Sequence, residues 1–241
     1  MPQPTRGGRW TRRAFAATTV LSLAGLTAWA ARLLNPPAGA APAKGARVDP
    51  DDALRRLMEG NDRFVKGLTQ RRDLSVRRMA LVEAQFPFAA LLACADSRVS
   101  PEYVFDADLG DLFITRTAGN YLSPDDLATL EYAVYELGTP LLVVVGHASC
   151  GAVKATVQVA EQGVQLPGHL GLIAEAIMPA VQTARRQTGD VVMNAVRENV
   201  ALNVTRLRTA EPLVAPAVRA GKVKVAGAVY DLQTGRAEFL P

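Results

Sequence analysis

The chain has 241 residues, with only two cysteines and two histidines among them, and three of those four stand beside other reactive groups. Cys94 opens the run Cys94-Ala95-Asp96-Ser97-Arg98, a thiol followed closely by a carboxylate and a guanidinium. Cys150 closes the run His147-Ala148-Ser149-Cys150, a thiol three residues after an imidazole. Such groups ligate metals, move protons and pair with anions. Taken as residues alone, the cysteines admit three readings: ligands of one metal, partners in a disulfide, or two buried thiols acting as small hydrophobes.

The flanking pattern decides which elements must carry them. "FAALLAC" is a short apolar run suited to a buried strand ending at Cys94, and "PLLVVVG" is a second that leads straight into His147. "DLFITRT" reads as another strand. Between these runs the periodicity is helical. An Asp-rich start and apolar residues at helical spacing predict a helix over 51–66, and Pro124 in a first turn predicts one over 124–137. Further helices are expected over 151–161, 170–187 and 190–209, the middle one kinked or broken at Pro179. "KVKVAGAVYDLQTGRAEFL" alternates around Thr234-Gly235 as a β-hairpin. The Arg71, Arg72, Arg77, Arg78 cluster reads as a solvated face. Strands separated by helices imply an α/β fold, a mostly parallel central sheet flanked by α-helices. Ligands of such sheets bind beyond the carboxyl ends of the strands. The two apolar strands can therefore bring Cys94, His147 and Cys150 to one sheet edge, a three-ligand set of the kind zinc uses when a fourth position stays open.

Charge narrows the function classes. The formal net charge is +4, but residues 1–40 hold Arg6, Arg9, Arg12, Arg13 and Arg32 and no acidic residue. Without them 22 basic residues face 23 acidic ones, so nucleic-acid binding is not expected. Thr11-Arg12-Arg13-Ala14-Phe15, the uncharged Ala/Leu/Thr stretch after it and the small-residue segment "NPPAGAAPAKGA" read as a twin-arginine export signal. Ala38-Gly39-Ala40 fits a cleavage site, leaving a single catalytic domain over 41–241 outside the cytoplasm, periplasmic or extracytoplasmic. An uncleaved membrane anchor is the other reading. The stretch carries Thr18, Thr19, Ser22, Gly25 and Thr27, which makes it a weak spanning helix, so no stable membrane span is expected after cleavage.

The paired motifs Cys94-Ala95-Asp96-Ser97-Arg98 and His147-Ala148-Ser149-Cys150-Gly151 resemble those of the β-class carbonic anhydrases, Cys-x-Asp-x-Arg and His-x-x-Cys. "NDRFVKG", "FPFAALLACADSRVSPEYVFDADLGDLFITRTAGN", "LEYAVYELGTPLLVVVGHASCGAVKA", "NAVRENV" and "GAVYDLQTG" look like segments of that family in the same order, from about residue 50 to the end.

This resemblance implies one zinc per subunit on Cys94, His147 and Cys150, and reversible hydration of carbon dioxide to bicarbonate and a proton by zinc-bound hydroxide. Two thiolates cancel the charge of the ion and weaken it as a Lewis acid. The resemblance gives Asp96 the task of orienting the nucleophile and Arg98 that of holding Asp96 in a bidentate ion pair. Gln85 is expected to hydrogen-bond a substrate oxygen, and the Gly151 backbone N–H, at a helix start, to meet developing negative charge. His169 is expected to be structural or superficial. In some relatives the aspartate leaves its arginine for the metal, and both arrangements use these same residues. Leu91 stands where a branch with a second bicarbonate site has tryptophan, so that site is expected to be absent. The family forms homodimers or homotetramers. Hydrolysis of carbonyl sulfide or carbon disulfide on the same scaffold is the alternative activity, and a non-catalytic zinc-binding protein the alternative class.

Overall fold

A computed structural model describes residues 48–241, so the leader expected over 1–40 and its cleavage site lie outside the described residues. Apolar runs at the centre of the sequence become the centre of the sheet. β1 (Ala89–Cys94) and β3 (Leu141–His147) are buried at every position, because a parallel strand covered on both faces cannot alternate with polar residues. β2 (Leu112–Thr117), half-buried, pairs with β1 at one edge. β4 (Lys224–Tyr230) lies beyond β3, and β5 (Ala237–Phe239) turns back beside it. The strand order is β2-β1-β3-β4-β5, with the first four parallel and β5 antiparallel. The expected hairpin and the expected α/β class are both present.

Alternation splits the core in two. Ala90, Leu92 and Cys94 of β1 share one face with Leu142 and Val144 of β3. Ala89, Leu91 and Ala93 face the other side with Leu141, Val143 and Val145. α1 (Pro50–Val65) covers the second face with Ala53 and Leu57, so this helix packs on its own chain. The first face is covered by α4 (Pro124–Tyr135), α5 (Gly151–Gln162), α6 (Leu170–Ala184) and α7 (Val191–Arg208). α7 comes unusually near the sheet because glycine stands beneath it. A Cβ on Gly146 or on Gly227 would lie 2.6 Å from a methyl of Val200.

The structure corrects several expectations. Of the two outcomes expected at Pro179, the break is absent: α6 runs through it, with Ile177, Ala180, Val181 and Ala184 buried. Three short helices, α2 (Leu74–Ala80), α3 (Pro101–Val104) and α8 (Val214–Arg219), are too brief to leave a periodic signal. The arginine cluster is not simply a solvated face. Arg72 pairs with Asp106, and Arg77, itself buried, pairs with Asp111.

Candidate metal centre

β1 and β3 end side by side. Ala93 is level with Val145, which sets Cys94 and His147 at the same carboxyl edge although they are 53 positions apart in the sequence. The chain then turns through Ser149 with φ +57, and Cys150 becomes the N-cap of α5. The ligating atoms of Cys94, His147 and Cys150 all lie within 4.8 Å of one another, and all three residues are buried.

Neither bland reading of the cysteines survives this geometry. Both are free thiols, with sulfurs 4.0 Å apart, about twice a disulfide bond. Nor are they inert hydrophobes, since a buried imidazole shares their pocket. His147 Nδ1 is 2.9 Å from the Ala148 carbonyl, an acceptor only, so the proton sits on Nδ1. Nε2 then offers a lone pair, and it is a buried nitrogen with no hydrogen-bond partner. Leaving such a group unpaired is costly, and a cation is the partner its chemistry asks for.

The donor set fits zinc. Ligands about 2.3 Å from a tetrahedral ion stand roughly 3.8 Å apart, close to the separation of the two sulfurs. Two sulfurs and one imidazole nitrogen are zinc ligands and leave one position for a reactant. The hydrogen bond between the thiols lowers Cys94, against the effect of burial, while the same bond and burial push Cys150 up. Cys94 and Cys150 would both hold a divalent cation as thiolates.

Asp96 follows in the turn after β1. Its carboxylate accepts from Arg98 Nε at 2.9 Å and Nη2 at 2.7 Å, and from the Arg98 backbone N–H at 3.0 Å. The Arg98 side-chain hydrogen bonds hold the Asp96 carboxyl well below the usual carboxylate range. Asp96 Oδ2 nevertheless reaches to 3.8 Å from His147 Nε2, so the arginine-held carboxylate borders the ligand cluster. Of the two arrangements that these residues allow, this one keeps Asp96 on Arg98.

Other expected site residues stand further out. The Gly151 N–H begins α5 next to Cys150, with open space at its Cα. Gln85 is exposed on the loop ahead of β1 and makes no hydrogen bond to the cluster. Leu91 is fully buried in the second core, and His169 is exposed at the start of α6.

Two supporting groups escaped the sequence reading. Arg116 of β2 donates from Nε to the Cys94 carbonyl at 3.0 Å and from Nη2 to the carbonyls of Asp96 and Val99, each at 2.7 Å. It clamps the turn that carries Asp96. On the other side of Cys94, the Gly119 N–H points at its sulfur from 3.3 Å. Arg116 sits in a strand, where an arginine reads as an outward-facing residue, and a backbone N–H has no sequence signal.

Comparison with known proteins agrees with this centre. The carbonic anhydrase family model matches residues 89–237. Carbonic anhydrase 2 of Mycobacterium tuberculosis is 37% identical over 191 residues, covering 79% of this chain and 92% of that protein. The carbonic anhydrase of Pseudomonas aeruginosa is 36% identical over 197 residues, covering 78% and 87%. Among solved structures, a Coccomyxa β-carbonic anhydrase in complex with acetazolamide has a TM-score of 0.57 at 30% identity, covering 78% of this chain and 86% of that one. The β-carbonic anhydrase CcaA reaches 0.62 at 27% identity, covering 78% and 95%. A match of this extent, over a cluster whose donors are those of a zinc site, means that the chain belongs to the β-class carbonic anhydrases and is a zinc enzyme.

Proposed function

We propose that the chain hydrates carbon dioxide reversibly at the cleft where Cys94, His147 and Cys150 hold zinc, with Asp96 as the catalytic carboxylate. The observation that carries this reading is the two-point grip of Arg98 on Asp96, with Oδ2 3.8 Å from His147 Nε2. Zinc, when bound, supplies the Lewis acidity that makes water a nucleophile near neutral pH. Cys94 and Cys150 contribute anionic sulfur, and His147 contributes neutral Nε2 because Nδ1 donates to Ala148.

An ionised carboxylate can only accept hydrogen bonds. Asp96 is therefore suited to accept a hydrogen bond from the attacking nucleophile and so turn a lone pair toward the carbon of carbon dioxide. Arg98 fixes the plane of that carboxylate and keeps it ionised. The Gly151 N–H, at the N-terminus of a 12-residue helix, offers a donor for the charge that develops on substrate oxygen. Gln85, exposed on a single chain, is proposed to meet substrate across a subunit interface.

Asp96→Asn replaces an acceptor with an amide of the same shape. It should retain one zinc per chain and lose about 100-fold or more in carbon dioxide hydration by stopped flow. Loss of zinc, or unchanged turnover, would remove Asp96 from this role. Parallel rates on carbonyl sulfide and carbon disulfide test the substrate assignment.

Two broader readings accompany this one. Residues 1–40 direct twin-arginine export, so the domain works outside the cytoplasm. The chain assembles as a homodimer or a homotetramer; exposed Leu74, Tyr103 and Leu109 around a cleft of about 470 Å³ support self-association through this face.

A further inference from the structure

The sulfur of Cys94 is held on two sides. Inside the cluster it faces Cys150, and outside it the Gly119 N–H approaches to 3.3 Å. Gly119 has φ +84, where side chains are strained, and a Cβ there would also lie 2.5 Å from Ile177 Cδ1 and 3.0 Å from Ala152 Cβ, so glycine suits this place. The Gly119 carbonyl accepts from Asn199 Nδ2 at 2.8 Å. Asn199, 1% exposed, is on α7 and touches neither the cysteines nor His147 by any hydrogen bond.

Its orientation is forced. The Leu122 N–H can only donate, and it meets Asn203 at 3.0 Å, so the atom facing it is Oδ1. Asn203 Nδ2 must then point the other way, toward Asn199 Oδ1 at 3.1 Å and the Asn199 carbonyl at 2.8 Å. That leaves Asn199 Nδ2 for Gly119. One backbone N–H fixes two amides, and the second amide fixes the loop that faces the sulfur.

We propose that Asn199 is a positioning residue of the metal centre: through Gly119 it holds a backbone N–H against Cys94 Sγ and so limits the charge this sulfur gives the metal. The inference rests on the assignment of Cys94 as a zinc ligand. A hydrogen bond to thiolate draws electron density away from the metal. With two thiolates in the set, this offsets part of the neutralisation that would otherwise weaken the ion as a Lewis acid. A helix on the first-core face is thereby tied to the electronic character of the centre.

The test uses the full chain loaded with cobalt, and separately with an NMR-active cadmium isotope. In wild-type protein the Gly119 amide proton should couple to cadmium through sulfur. Asn199→Leu should move the thiolate-to-cobalt absorption to lower energy and weaken the coupling between the Gly119 amide proton and cadmium. Val200→Ala, the next residue on α7, serves as a control that loosens packing alone and should move neither. Absence of the cadmium coupling in wild-type, or an unmoved absorption in Asn199→Leu, overturns the proposal. If Asn199→Leu does not fold, the wild-type coupling decides. Normal thiolate-to-cobalt absorption without the Gly119 coupling sinks this inference alone, whereas no thiolate-to-cobalt absorption at all sinks the ligand assignment with it.

Discussion

Asp106 lies with its side chain 1% exposed between Arg63 Nε at 2.5 Å and Arg72 Nη1 at 2.7 Å, and also accepts from the Gln70 N–H at 3.1 Å. Burial raises its carboxyl, but the two guanidinium groups and the N–H outweigh burial and leave it lowered. A carboxyl lowered on folding stabilises the protein above its unfolded value of about 3.9, and that contribution disappears as pH falls through the folded value. Asp106→Asn should therefore cost about 3 kcal/mol at neutral pH, and the difference from wild type should shrink in denaturant melts below the ordinary carboxyl range. Asparagine tolerates the φ of +42 found here, so the change removes charge without adding backbone strain. At Arg116, lysine cannot span three carbonyls with a fixed fork. Arg116→Lys should keep zinc and lower kcat, by up to about 100-fold if Asp96 moves by an ångström. Cys94, His147 and Cys150 were legible because rare residue types fell at strand ends. Arg72 and Arg77 were not, since a charge run looks alike whether its partner is water or a carboxylate some 34 residues away. Asn199 and Asn203 were equally hidden, because a polar residue on a helix reads as part of its wet face.

Among the elements, the strands were the most readable. Continuous apolar runs can only be satisfied by cover on both faces, and β1 and β3 sit at the centre for that reason. The seat of α7 was not readable, because Gly146 and Gly227 look like ordinary strand residues until a helix is laid over them. Gly146→Ala sets a methyl 2.6 Å from Val200 Cγ2 and should drive α7 outward. We expect a loss of about 1–3 kcal/mol in thermal or denaturant unfolding. An unchanged melting temperature would mean that α7 yields without cost. Short α2, α3 and α8 escaped notice because one or two turns do not establish a period.

For the molecule as a whole, the exposed face around Tyr103 is the readable consequence of folding one chain. Tyr103 is 73% exposed and lines one cleft with Leu74 and Leu109, themselves exposed. Tyr103→Glu should reduce the sedimenting species toward the monomer, and an unchanged mass would assign assembly to another face. Export is testable in the cell: replacing Arg12 and Arg13 together with lysine should leave the protein in the cytoplasm.

Asn61 on α1, 3% exposed, donates to the carbonyls of Val104 and Gly235 and accepts from the Ala237 N–H. Two of those partners lie 174 and 176 residues further along the chain. During synthesis, therefore, α1 leaves the ribosome long before the residues that close its buried amide exist. Closure around Asn61 waits on Gly235 and Ala237, and a nascent chain halted before Gly235 should leave α1 open to protease while one carrying both residues protects it. The β4–β5 hairpin thus sets the earliest moment at which α1 can be sealed into the domain.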